Sequence, residues 1–315
     1  MGRLEEVTVS VLMLTYNRET MVSRAIESIL AQTFSDFEFI IVDNGSTDQS
    51  GAIAEEYAAL DHRIRVIHRP RGNIGAGRNT ALDAARGKYL TFIDDDDWAE
   101  PDFLEFLVSL LEENGADVAI CGATGRVFDE KKIMTAEEAL IELMWRKKYN
   151  VGFPTKMIRQ QKMELLRFPE AVTYDDIALM YRLLAECEQV AYHGLLKYNI
   201  CRHPGNNSAW TTNHSLLTPE TLQEYLDAYR TRTQWLSEKF PNSAEVFQYF
   251  EWSFMISMVE KIQRLDLKGC KDIGAKLMGQ LWTFRERFLT CPEILPYEKK
   301  FMEQYILSGG NYCVP

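Results

Sequence analysis

The stretch that most constrains this chain is residues 88–102, KYLTFIDDDDWAEPD, where an apolar β-rich run from Tyr89 to Ile93 stops at four consecutive carboxylates, Asp94, Asp95, Asp96 and Asp97. Four like charges repel, and a fold that places them where burial begins calls for a cation to compensate them. A divalent metal is the obvious candidate. Residues two apart on an extended segment point the same way, so Asp94 and Asp96 can face one ion while Asp95 turns elsewhere.

Upstream, strand-like and helix-like segments alternate. Val7 to Leu14 is an apolar run with the pattern of a strand buried on both faces, and it ends at Thr15, Tyr16 and Asn17. Asn17 reads as the cap of a helix beginning near Glu19, where Val22, Ala25, Ile26, Ile29 and Leu30 fall at helical spacing. Phe37 to Val42 is a second buried strand running into Asp43, and Ile64 to His68 a third. The glycine-bearing segment 69–87 then feeds a helix over Ala76 to Ala85. The order β-α-β-α-β-α-β predicts a parallel sheet with right-handed crossovers, and such sheets bind ligands beyond the C-terminal ends of their strands. Thr15 with Tyr16, Asp43, and the aspartate run each follow an apolar strand, so three separate stretches converge on one edge.

A helix with proline in its first turn starts at Pro101, a strand spans Asp117 to Cys121, and Thr135 with Glu138 forms a capping box for a helix to Arg146. Residues 146–162 are locally basic (Arg146, Lys147, Lys148, Lys156, Arg159, Lys162), which reads either as a solvated face or as an acceptor-binding or membrane-surface patch. Asp175 and Asp176 open a helix, where two carboxylates favour the positive end of the helix dipole. Gln189 to Tyr192 and Lys197 to Cys201 read as short strands, and 202–208, RHPGNNS, as a loop. Beyond Thr218 the patterning is helical throughout, with apolar stripes that pack internally or serve a dimer or membrane-edge contact.

Composition narrows the partners. A net charge of −11 disfavours nucleic acid. No apolar run reaches bilayer-spanning length and the N-terminus lacks a secretory pattern, so a cytoplasmic protein is expected. Six scattered cysteines argue against a zinc site or a disulfide framework.

Taken together, VSVLMLTYN, VDNGSTD with Asp43, NIGAGRN with Asn73, Gly75, Arg78 and Asn79, the aspartate run and the later YDD resemble, in order and spacing over residues 7–208, the inverting family 2 glycosyltransferases of GT-A fold. The resemblance implies an α/β fold of the Rossmann-like GT-A type, a mostly parallel sheet flanked by helices, followed by an all-helical C-terminal region. The division expected is a nucleotide-sugar-binding catalytic domain over 1–212 and a helical region over 213–315. It implies a UDP-sugar donor held by Thr15, Tyr16, Asn17, Asp43, Asn73, Gly75, Arg78 and Asp95. Tyr16 can stack on a planar base, and Asp43 can accept a hydrogen bond from the imide N–H of uracil. Arg78 could approach the phosphates, or Arg78 and Asn79 could only stabilise their loop. Asp96 and Asp94 would hold Mn²⁺ or Mg²⁺, and Arg202 or His203, from a segment that closes over the nucleotide, could touch the diphosphate or the metal. Asp95 would face the ribose and Asp97 would be a structural neighbour; the remaining histidines carry no signal.

The base falls to Asp176, with Asp175 as the alternative. The acceptor implied is a hydroxyl of a glycan or lipid-linked oligosaccharide, as in bacterial surface or capsular polysaccharide synthesis. A lipid-linked acceptor would bring the protein to the inner face of the membrane as a peripheral contact, and the helical region could support a homodimer. Competing readings fare worse. A dinucleotide-binding oxidoreductase would carry its glycine fingerprint after the first strand, where Thr15, Tyr16 and Asn17 stand. A nucleotidyltransferase would need a basic glycine-rich loop there, and a glycosidase leaves the nucleotide-like site unexplained. A non-catalytic binding or assembly module on the same fold is the remaining alternative.

Overall fold

The computed structural model describes residues 7–308 apart from 165, 204, 207, 208 and 212. Cys313, the N-terminal residues behind the expectation of no secretory leader, and Pro204, Asn207 and Ser208 of the 202–208 loop lie outside the described residues. The chain divides into two compact units, Met1–Cys201 and Arg202–Pro315.

The first unit opens with β1 (Val9–Thr15), α1 (Val22–Leu30), β2 (Phe37–Asp43), α2 (Ser50–Leu60), β3 (Ile64–His68), α3 (Ile74–Ala84) and β4 (Tyr89–Asp94). It continues through β5 (Trp98–Ala99), α4 (Phe103–Asn114), β6 (Val118–Ala123), β7 (Lys131–Met134), α5 (Ala136–Trp145), β8 (Lys156–Arg159), α6 (Gln160–Met163), α7 (Asp175–Ala185) and β9 (Val190–Asn199). The sheet order is β3-β2-β1-β4-β8-β6-β9-β5, with β7 paired to β9. The first four strands in that order run parallel, as the strand-helix alternation predicts. β8 is antiparallel to both β4 and β6, which makes the whole sheet mixed.

Both faces of the parallel half are covered. Val9, Val11 and Met13 of β1 and Phe39 and Ile41 of β2 are buried in one core with Val22, Ala25, Ile26 and Ile29 of α1 and Phe103, Leu104 and Leu107 of α4. On the other face α3 lies against β1: a Cβ on Gly77 would fall 2.2 Å from the Leu14 side chain. Phe92, Phe153 and Phe168 pack edge-on beneath it.

Several local expectations change. Asn17 does not cap α1, which starts five residues later at Val22 behind Met21. Instead its backbone is left-handed, with φ 51°, and its Oδ1 accepts the Thr47 N–H at 2.9 Å, tying two site loops together. The strands expected at 189–192 and 197–201 are one strand, β9, which passes through Gly194 because a side chain there would strike the Phe128 carbonyl. The basic segment 146–162 divides: Arg146 and Lys147 are exposed, whereas the other four basic side chains are tied into the fold. Lys156 is 0% exposed with Nζ on the Gly152 carbonyl, Lys148 pairs with Glu130 and Glu142, Arg159 binds the Ala116 carbonyl, and Lys162 binds Asp117.

In the second unit, α8 (Pro219–Lys239), α9 (Ala244–Arg264), α10 (Lys271–Thr290) and α11 (Pro296–Phe301) follow one another. Most of each stripe turns inward: Phe247, Phe250, Met258 and Ile262 on α9 and Leu277, Leu281 and Phe288 on α10 are buried, and Phe254 stacks on Tyr229 at 4.1 Å, whereas Phe284 of the α10 stripe is exposed. Among the described residues no helix is long and apolar enough to cross a membrane.

Candidate active site

β1, β2 and β4 end level with one another. In register, Thr15 lies opposite Asp43, and Leu14 lies between Val42 and Asp94. Every polar stretch singled out after these strands therefore meets at one sheet edge.

Asp43 is 6% exposed and anchored from two sides. Its Oδ1 accepts the Ser46 N–H at 2.9 Å and its Oδ2 lies 2.9 Å from His68 Nδ1. Burial alone would raise its pKa, but the hydrogen bonds from Ser46 and His68 outweigh it and hold the carboxyl below the ordinary value. Beside it, Tyr16 carries the Arg71 guanidinium over its ring at 3.1 Å.

The four aspartates part ways. Asp94 is half-exposed, and its Oδ1 lies 3.5 Å from Arg78 Nη2. Surrounding protein atoms push its pKa up to about 6; Arg78 opposes the rise, and Asp96, Asp176 and Asp175 add to it by charge repulsion. Asp95 turns to β1: its Oδ2 accepts the Tyr16 N–H at 3.1 Å and its Oδ1 lies 3.6 Å from Arg18 Nε. Burial pushes it up to about 7. Asp96 is 8% exposed, and its carbonyl accepts Arg24 Nη2 at 2.5 Å. Asp97 accepts the Cys201 N–H at 2.7 Å, tying the turn after β4 to the end of β9, and burial pushes it up to about 8.

Across the edge stands the first turn of α7. Tyr174 holds the cap position, and Asp175 and Asp176 follow it in the first turn. Asp175 is 2% exposed and accepts Arg78 Nη1 on both oxygens, at 3.0 and 3.1 Å. Arg78 thus joins Asp94 on β4 to Asp175 on α7. Asp176 is partly buried, with Oδ1 on the Ile177 N–H at 2.8 Å, and burial raises its pKa against the pull of Arg78.

The glycine-bearing segment builds the site from behind. Asn73 caps α3 by accepting the Ala76 N–H at 2.8 Å. A Cβ on Gly75 would fall 2.4 Å from the Pro169 carbonyl oxygen, so only glycine lets the 168–169 backbone approach. Asn79 is buried and clamps that backbone, donating to the Phe168 carbonyl at 2.9 Å and accepting the Phe168 N–H at 2.9 Å. His203 belongs to the second unit, where its Nδ1 accepts the Gly205 N–H at 3.2 Å.

The sequence model of Glycosyl transferase family 2 matches residues 10–185, which hold every candidate site residue except Arg202 and His203. The chain belongs to glycosyl transferase family 2. Its relatives include the uncharacterized glycosyltransferase EpsJ of Bacillus subtilis, 44% identical over 36% of this chain and 33% of EpsJ. Glycosyltransferase GlyA of Streptococcus pneumoniae is 34% identical over 50% of this chain and 22% of GlyA. The chain thus spans a third or less of the length of these two relatives. Among solved structures, residues 1–349 of S. aureus TarS in complex with UDP share the fold, with a TM-score of 0.66 at 18% identity over 97% of this chain and 93% of that one. This is the GT-A fold.

Three site residues of this family 2 glycosyltransferase carried no motif signal. Arg18 faces Asp95, Arg71 covers Tyr16, and His68 holds Asp43. Strand register alone could have pointed to His68, because it ends β3 directly opposite Asp43.

Proposed function

We propose that the protein moves one sugar from a UDP-sugar to a hydroxyl of a glycan or lipid-linked oligosaccharide, in a single displacement that inverts the anomeric centre. One observation carries the reading: Asp43, the aspartate run and the Arg78–Asp175–Asp176 cluster meet at the ends of β1, β2 and β4 and the start of α7.

In this reading the anchored Asp43 carboxylate keeps lone pairs for the imide N–H of uracil, and Tyr16 offers its ring to the base. Asp95, positioned by Tyr16 N–H and Arg18, faces the ribose. Thr15 and Asn17 shape the loop after β1, while Asn73, Gly75 and Asn79 fix α3 and the 168–170 segment. Asp94 and Asp96 suit a hard divalent ion, Mn²⁺ or Mg²⁺, because burial and the nearby acids disfavour charge on Asp94, and a cation would relieve both. Among the described residues no group of three or more His, Cys, Asp or Glu is placed to hold a metal. Such an ion needs only one or two carboxylates, with the diphosphate and water completing its shell. Bound there, the ion would neutralise charge developing on the departing diphosphate.

The contacts of Arg78 favour Asp176 over Asp175 as the base. Arg78 occupies both oxygens of Asp175, which makes Asp175 its counter-ion and leaves the base to Asp176. A raised pKa makes Asp176 a better proton acceptor than an ordinary aspartate. It takes the proton of the acceptor hydroxyl as that oxygen bonds to the anomeric carbon, and the bond to UDP breaks with its electrons leaving on the diphosphate.

The test is UDP release from a panel of UDP-sugars and acceptors with Mn²⁺ present. Asp176→Asn and Asp96→Asn are each expected to lose about 10²-fold or more in turnover. Wild type and both variants behaving alike with every donor and acceptor would end the catalytic assignment.

A further inference from the structure

β2 and β3 end side by side, and the last residue of β3, His68, lies in register with Asp43. The imidazole is held between two carboxylates. Nδ1 is 2.9 Å from Asp43 Oδ2, and Nε2 is 2.9 Å from Glu55 Oε1 on α2. A neutral imidazole has one donor and one acceptor nitrogen, so it can satisfy only one of these oxygens; the imidazolium satisfies both. Helix α2 is pressed against the pair: a Cβ on Gly51 would lie 2.7 Å from Asp43 Oδ2 and 3.2 Å from His68 Cε1. The neighbouring Arg69 does not compete for either carboxylate, since its guanidinium goes to Asn44 Oδ1 at 2.7 Å. The charged groups facing the ring are therefore Asp43 from β2 and Glu55 from α2.

We propose that His68, as an imidazolium bridging Asp43 and Glu55, is a positioning residue that fixes the Asp43 carboxylate for recognition of the nucleotide base. The inference rests on the assignment of Asp43 to the uracil imide and deepens it. With Ser46 N–H on Oδ1 and His68 on Oδ2, the carboxylate cannot rotate, and its free lone pairs point in one direction. A carboxylate held in this way discriminates by hydrogen-bond pattern: it accepts from an imide N–H and meets an unprotonated ring nitrogen with repulsion. Loss of the His68 proton would break one of the two bridges and loosen the carboxylate. The flanking acids hold His68 above its ordinary value of 6.5, Asp43 first and then Glu55. Donor recognition should therefore be complete in mildly acidic and neutral solution and weaken as pH rises through the raised value.

The experiment measures UDP affinity by calorimetry from about pH 6 to about pH 9, with CDP as the competing nucleotide and the protein in its full length. Four chains are compared: wild type, His68→Gln, Glu55→Gln and Asp43→Ala. His68 is half-exposed, so its replacement by a polar side chain should fold, and the thermal midpoint verifies this. In wild type, affinity should fall toward high pH. His68→Gln should bind UDP about tenfold more weakly at the acidic end, lose the pH dependence and lose part of the preference for UDP over CDP. Glu55→Gln should keep the affinity at the acidic end and shift the fall to lower pH, because one of the acids that raises His68 is gone. Asp43→Ala separates the two layers. If it binds UDP as wild type does, the base-site reading fails and the inference with it. If it binds weakly while His68→Gln matches wild type in affinity, pH profile and selectivity, the positioning role alone is refuted.

Discussion

At the residue scale, the site is governed by where each carboxylate finds a partner. Asp175 and Asp176 are adjacent in sequence and chemically identical, yet Arg78 neutralises the first and only perturbs the second. That difference depends on a side chain 97 residues away in sequence, which no local pattern carries. It leads to a prediction about pH. A base works only when ionised, and burial lifts Asp176 above its ordinary 3.8. Turnover should therefore decline as pH falls through that raised value, in less acidic solution than an unperturbed aspartate would require. The pH profile of kcat for wild type should show this acidic limb, and Asp176→Asn, some 10²- to 10⁴-fold slower, should lack it. An acidic limb retained unchanged in Asp176→Asn would trace that limb to another group, Asp94 with its raised value first among them. The aspartate run teaches the same point. Its place at a strand end and the divergence of Asp95 are consequences of extended geometry, and both were legible. The capture of Asp97 by the Cys201 backbone was not, because the partner comes from the far end of β9.

At the element scale, legibility followed periodicity. β1 to β4 and the helices between them announce themselves because buried parallel strands are continuous apolar runs and their helices carry apolar faces. The Thr135 capping box of α5 is also local, and it formed as its spacing predicts. β7 and β8, KKIM and KMIR, are four residues each and half basic, so nothing in them reads as a strand. Lys156 is nevertheless wholly buried in β8, its Nζ on the Gly152 carbonyl at 2.6 Å, and burial lowers its pKa to about 7. The same limit hid the task of Gly75, whose neighbour Pro169 lies on a later segment. Gly75→Ala should push α3 away from the 168–169 backbone, with a cost of about 1–3 kcal/mol in urea unfolding. Because that backbone leads into α7, turnover should drop along with stability. An alanine variant with wild-type stability and turnover would show that this contact does not set the position of Asp175 and Asp176.

At the scale of the whole molecule, the crowded site should be visible in stability itself. The folded protein keeps protons on Asp94, Asp95 and Asp97 up to about pH 6, 7 and 8, whereas the unfolded chain releases them near 3.8. Between those limits these three groups bind more protons in the folded state than in the unfolded one and make stability fall as pH rises, while Lys156, lowered to about 7, acts in the opposite direction above that value. His68, also raised, acts in the same direction above its ordinary 6.5. The lowered groups Glu38, Asp43, Asp48 and Asp61 contribute stability that is lost only as pH falls through their depressed values, at the acidic side of this window. In EDTA, calorimetry should therefore give a melting temperature of the first unit that declines from about pH 5 to about pH 7, below the range in which Lys156 opposes the fall. His68→Gln should remove only the part of the decline due to the imidazole. Mn²⁺ should oppose the decline, because a cation binds the ionised carboxylates and not the protonated ones, so the stabilisation it gives should grow across the same interval. A melting temperature in EDTA that rises with pH would contradict the charge crowding. An equal effect of Mn²⁺ at both ends would place the ion away from Asp94.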